Sequence, residues 1–181
     1  MSYAINMYFN QEAEETIVNL WEKLSLLNMG KCMSCANGRP HLTLAIYNDL
    51  DLGKAEGKLK ALAEVTSIFQ LKFIQVGIFP RNKGTIFLAP NLSDDLFHVH
   101  RHLHDSLRLW EEYGWDYYKP QAWYPHCTLS IETSIEEIPK VLEAILEDFQ
   151  PIEAMIESMG IVSLEPIEYL CEIPLKRDAR Q

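Results

Sequence analysis

The chain has no excess of positive charge, no long apolar run, no low-complexity stretch and only four cysteines, and each shortage removes a class of function. Sixteen Lys and Arg stand against 26 Asp and Glu, for a formal charge of −10 over 181 residues. A mean field of that sign repels the phosphates of a long nucleic acid, so a mainly electrostatic grip on a duplex is excluded, whereas a short anion in a local positive pocket is not. No apolar run reaches the roughly 18 residues of a membrane span. The start, Met1-Ser2-Tyr3-Ala4-Ile5-Asn6, has no basic region followed by an apolar one. The expectation is a cytoplasmic protein that binds no membrane, with its thiols reduced. Cys32-Met33-Ser34-Cys35 has C-x-x-C spacing. A zinc ribbon needs a second pair, and Cys127 and Cys171 lie far apart on expected strands, so this one reads as an incidental loop pair leading into Arg39 and His41. With no Ser/Gly linker or long charge block, residues 1–181 are expected to form one domain.

What the chain does contain is an internal repeat. Arg39-Pro40-His41-Leu42-Thr43-Leu44-Ala45-Ile46 is echoed by Tyr124-Pro125-His126-Cys127-Thr128-Leu129-Ser130-Ile131. After each copy comes a polar turn and then a helical pattern, over 54–65 in the first half and 135–149 in the second. Alternating, β-rich stretches follow: 71–79 and 85–88, then 152–162 and 167–173. A strand over 3–9 and a helix over 12–27 precede the first copy, and an amphipathic helix over 93–112 separates the halves. The pattern predicts an α+β fold of two pseudo-symmetric lobes, about 36–92 and 121–176. The opening strand and helix and the helix over 93–112 complete them. Two antiparallel sheets should face a central cleft, with helices outside.

Residues two apart in a strand share a face. His41, Thr43 and Ala45 therefore point one way, as do His126, Thr128 and Ser130, and the apolar faces pack on helices. If the lobes face each other, two His and two Thr converge. One imidazole can take a proton while the other, protonated, gives one, so the pair can work on both sides of a phosphodiester without a metal. The Thr hydroxyls can donate to the non-bridging phosphate oxygens.

The tandem Pro40-His41-Leu42-Thr43-Leu44 and Pro125-His126-Cys127-Thr128-Leu129, set in a duplicated lobe, resembles the two-histidine phosphoesterase superfamily, which includes the 2′-5′ RNA ligase-like proteins and the cyclic phosphodiesterases. The resemblance spans nearly the whole chain. It implies a bilobal fold with a central cleft and an enzyme that opens cyclic phosphates or cleaves 2′-5′ linked nucleotides without metal or other cofactor. By that analogy His41 and His126 are the acid/base pair, and Thr43 and Thr128 the phosphate ligands. The partner it implies is a small nucleotide cyclic phosphate or an RNA end. Two readings of the same cleft stay open beside hydrolysis: a non-catalytic module that binds nucleotides or RNA ends, and 2′-5′ RNA ligation.

Three further features bear on the cleft. His98, His100, His102 and His104 form i,i+4 pairs on one helix, which offers a rival metal-dependent hydrolase. Leu96, Leu103, Leu107 and Trp110 set that helix's core stripe, so His98 and His102 should face solvent and His100 the packed side. Seven aromatics lie between Trp110 and Tyr124, and Trp123 and Tyr124 are the best placed to stack a base. The local positive charge is Arg39, Lys119 and the hairpin tip Arg81-Asn82-Lys83, with Arg39 the candidate for the catalytic face.

Overall fold

Ile5, Met7 and Phe9 alternate with Asn6 and Tyr8 in the opening strand, which leaves one apolar face for the core and one face that carries polar atoms. The computed structural model describes residues 1–33, 38–79 and 84–177, with Cys32 described by its backbone alone. In chain order the elements are β1 (Tyr3–Phe9), α1 (Gln11–Ser25), β2 (Lys31–Cys32), β3 (His41–Tyr47), α2 (Leu52–Val65), β4 (Phe69–Phe79) and β5 (Thr85–Pro90). Then come α3 (Asp94–Ser106), β6 (Cys127–Ile131), α4 (Ile138–Leu146), β7 (Ile152–Leu164) and β8 (Ile167–Pro174). Side chains cap two helix starts: Asp51 accepts the Lys54 N–H at α2, and Ser93 accepts the Leu96 N–H at α3.

The fold is α+β with antiparallel strands, as the pattern predicts, and β7 joins the halves. The hydrogen-bonded path runs β2-β6-β5-β4-β7-β1-β3, with β8 added on β7. β7 pairs with β4 from Ile152 to Ile156, and with β1 and β8 farther along, so the two expected sheets meet in one long strand. Three local boundaries differ from the sequence reading. The helix expected over 93–112 ends at Ser106, where Leu107 leaves the helical region (φ −101°, ψ 16°) and the chain tightens into a 3-10 turn over Arg108–Tyr113. The helix expected over 135–149 shrinks to α4, whose start is set by Pro139 in its first turn. The two-residue strand β2, on the edge of β6, was not anticipated.

The helices do not stay with their sequence neighbours. α1 precedes the first motif but packs on β2, β6 and α4, so it covers the strand of the second motif. α3 precedes the second motif but packs on β3, the strand of the first.

Both motif strands also bend at the same place. Thr43 and Ala45 face the consecutive residues Asn6 and Ile5 of β1, and Thr128 and Ser130 face the consecutive residues Phe87 and Ile86 of β5. The extra residue is Leu44 in one strand and Leu129 in the other. Such bulges twist a strand and re-aim its side chains. Beyond the bend, Ala45 and Ser130 are buried, whereas His41, Thr43, His126 and Thr128 keep part of their surface open.

Candidate active site

The buried, apolar Leu42 and Leu44 pull one face of β3 into the core, and Cys127 and Leu129 do the same for β6. His41 and Thr43 are left on the other face of β3, and His126 and Thr128 on that of β6, with the two strands side by side. The two imidazoles are held alike. His41 Nδ1 lies 2.5 Å from the Arg39 carbonyl, and His126 Nδ1 2.7 Å from the Tyr124 carbonyl. A carbonyl only accepts, so each Nδ1 carries the hydrogen, and each Nε2 is left with a free lone pair in the neutral ring. Burial pushes both histidines below the ordinary value, against the pull of those carbonyls; the charges of His126 and Arg39 lower His41 further. The ring of His41 therefore feels that of His126.

The surroundings of the two rings differ. An aromatic wall meets His126: Phe79 edge-on at 5.0 Å, Phe87 at 5.3 Å, and Tyr124 against both phenylalanines at 5.9 Å. Phe79 and Phe87 stack at 4.2 Å. Gly77 makes room for this wall, since a Cβ there would lie 2.4 Å from the Phe87 ring. Tyr124, packed against the Phe79 and Phe87 rings, keeps 48% of its surface exposed. Phe79 and Phe87 were missed in the sequence, where each reads as one more apolar strand residue.

His41 sits instead beside a polar network. Arg39 is bound by Glu14 of α1 and Glu172 of β8, each at 2.7 Å, and lies 4.4 Å above the Tyr8 ring. Its guanidinium is thus committed to two carboxylates within the protein. Behind the motif, β1 sets Asn6 opposite Thr43 and Tyr8 opposite His41. Among the described residues, Asn6 Oδ1 and the Tyr8 hydroxyl are buried with no hydrogen bond of good geometry, although Asn6 pulls against the burial that raises the Tyr8 hydroxyl. Neither residue stood out in the sequence, because their polar side chains are legible only once the register is known.

Other expected residues fall elsewhere. Trp123 is 7% exposed, lies flat on His100 (3.8 Å, 3°) and donates its Nε1–H to the Thr43 carbonyl at 2.9 Å. This leaves it no open face for a base, which corrects the stacking role expected of it. Lys119 pairs with Asp116. The tip Arg81-Asn82-Lys83 and the side chains of Cys32 and Cys35 lie outside the described residues. On α3, His100 is buried and bonded to the Leu44 and Tyr118 carbonyls, while His98 and His102 face solvent with rings 4.0 Å apart. Among the described residues no three His, Cys, Asp or Glu side chains converge as a metal would need.

The model of the 2'-5' RNA ligase superfamily matches residues 14–166. No curated protein matches the chain by sequence. Several solved structures share its fold. Thermus thermophilus TT0787 is 20% identical with a TM-score of 0.70, over 98% of this chain and 100% of that one. LigT of E. coli, solved with 3'-AMP, is 16% identical with a TM-score of 0.65, over 96% of each chain. Usb1 of Kluyveromyces marxianus is 7% identical with a TM-score of 0.52, over 96% of this chain and 97% of that one.

Proposed function

Since the chain belongs to the 2'-5' RNA ligase superfamily, we propose that it is a metal-independent phosphodiesterase that hydrolyses 2′,3′-cyclic phosphates or 2′-5′ linked nucleotides and RNA ends. The observation that carries this reading is the matched tethering of His41 and His126, each by Nδ1 to the carbonyl two residues before it. The tether reserves both Nε2 atoms for proton transfer. The neutral histidine takes a proton from water, whose oxygen forms the new bond to phosphorus. The P–O bond to the ribose breaks, and the protonated histidine gives its proton to the departing oxygen. Thr43 and Thr128 donate to the non-bridging oxygens as charge builds on them.

Both imidazoles are pushed toward the neutral form, yet the mechanism needs one of them protonated. The phosphate anion supplies the missing bias, because its charge favours a proton on a neighbouring ring. Substrate binding and protonation of the acid are thus linked. The exposed ring of Tyr124, backed by Phe79 and Phe87, stacks the base. LigT has been solved with 3'-AMP, ATP and NADP+, which are small nucleotides of the class proposed for this cleft. The whole chain, residues 1–181, acts as one catalytic unit in the cytoplasm.

The test is turnover of 2′,3′-cyclic nucleotides in EDTA by the parent protein. Turnover that persists supports hydrolysis by the two histidines; turnover that disappears with EDTA and returns with zinc moves the chemistry to a metal. Joining of cyclic-phosphate and 5′-hydroxyl RNA ends would assign the ligation reading instead.

A further inference from the structure

β3 and β6 carry the two motifs and lie against each other, yet no ladder pairing joins them among the described residues. β3 ends the sheet path, so among the described residues one of its edges meets no partner strand and only bridges at its far end, Tyr47 to Gly114. On such an edge the N–H and C=O of alternate residues point outward together. Side chains from the entry to the second motif meet these outward groups of the first. The Thr43 carbonyl accepts the Trp123 Nε1–H at 2.9 Å. The backbone N–H of His41 is met by the thiol of Cys127.

The indole is itself pinned. It lies flat on His100 at 3.8 Å and takes the edge of Phe97 at 5.8 Å. His100 is fixed in turn by the carbonyls of Leu44 and Tyr118. Trp123 comes three residues before His126. The intervening Pro125 is buried, and the Tyr124 carbonyl holds His126 Nδ1 at 2.7 Å. One short rigid path therefore runs from the backbone of one motif to the imidazole of the other.

We infer that Trp123 is a positioning residue: its indole, anchored on the Thr43 carbonyl, sets the separation of the two His-x-Thr motifs. The inference rests on the acid/base reading of His41 and His126. Trp21 makes the corresponding bond to the second motif, Nε1 to the Thr128 carbonyl at 3.0 Å. It braces one motif strand from α1, whereas Trp123 ties the two motifs together.

The test compares the parent with Trp123→Phe and with a variant carrying benzothienylalanine at 123, which keeps the bicyclic shape and lacks the N–H. Misplacing reacting groups by about 1 Å costs about 100-fold, so partial loosening of the seam should lower kcat about tenfold with KM within about twofold. Leu59→Ala, on the buried face of α2, controls for lost stability and should leave that ratio in place. A rise in KM with kcat kept would make Trp123 a substrate platform and overturn the inference, as would parent-like constants in both variants. His41 and His126 are also titrated by NMR without substrate, since the charge of His126 acts on His41 at the native separation. Movement of these titrations in the variants supports the seam, and titrations that stay put contradict it. If the parent fails to turn over cyclic nucleotides, the functional reading fails by itself, and the titrations still decide the role of Trp123.

Discussion

Each motif histidine is committed through Nδ1 to a backbone carbonyl, so its chemistry is confined to Nε2. The role proposed for the Thr43 and Thr128 hydroxyls is to donate hydrogen bonds to the phosphate. Thr43→Val and Thr128→Val keep the shape and remove the donor, and each should lower kcat/KM by about 100- to 1,000-fold, in line with the loss of a donor to a developing charge. Steady-state kinetics on a cyclic nucleotide measures this directly. Tyr124 should behave differently. On the proposal that its exposed ring stacks the base, Tyr124→Ala should raise KM several-fold while Tyr124→Phe stays near the parent. A Tyr124→Ala variant that loses kcat alone would refute base stacking there.

At the scale of elements, α3 and β3 are joined by a buried histidine. Burial and the neighbouring His104 push His100 down to about 4, and the carbonyls of Tyr118 and Leu44 offset this only in part. Between that value and 6.5 the unfolded chain binds a proton that the native protein does not. Stability therefore rises with pH across this window; it is fully present above 6.5 and is lost as pH falls toward 4, at most about 3 kcal/mol from this residue. Denaturant melts at pH 7 and pH 4.5 should show the loss, and His100→Gln, which can still donate to the carbonyls, should flatten it.

The same elements show where sequence reading stops. Strand alternation was enough to place His41 with Thr43 and His126 with Thr128, because that face is a local property of five residues. The bulges at Leu44 and Leu129 were invisible, since each reads as one more apolar residue in an alternating strand. An aromatic run likewise does not say which ring turns inward. Trp123 turned inward because an edge-strand carbonyl 80 residues earlier needed a donor. For Arg39, two residues from His41, the sequence offers a place on the catalytic face but not the Glu172 that β8 brings to it across 133 residues.

At the scale of the molecule, the repeat foretold two matched motifs but not the crossing of α1 and α3 onto each other's motif strands. That exchange depends on packing between distant segments. The net charge of −10 acts at this scale too. It disfavours long anions, and salt screens it over about 10 Å at 0.1 M. The kcat/KM for a long RNA ending in a cyclic phosphate should therefore rise between 20 and 200 mM salt, whereas that for a mononucleotide should change little. A steep fall with salt would instead reveal a basic track along the RNA. The central claim is that two histidines from two halves of one chain form a single acid/base device. Its most direct test is hydrolysis of 2′,3′-cyclic nucleotides in EDTA by the parent, His41→Ala and His126→Ala. The account predicts parent turnover and a loss of at least about 100-fold in each variant; a variant that keeps the parent's rate would contradict it.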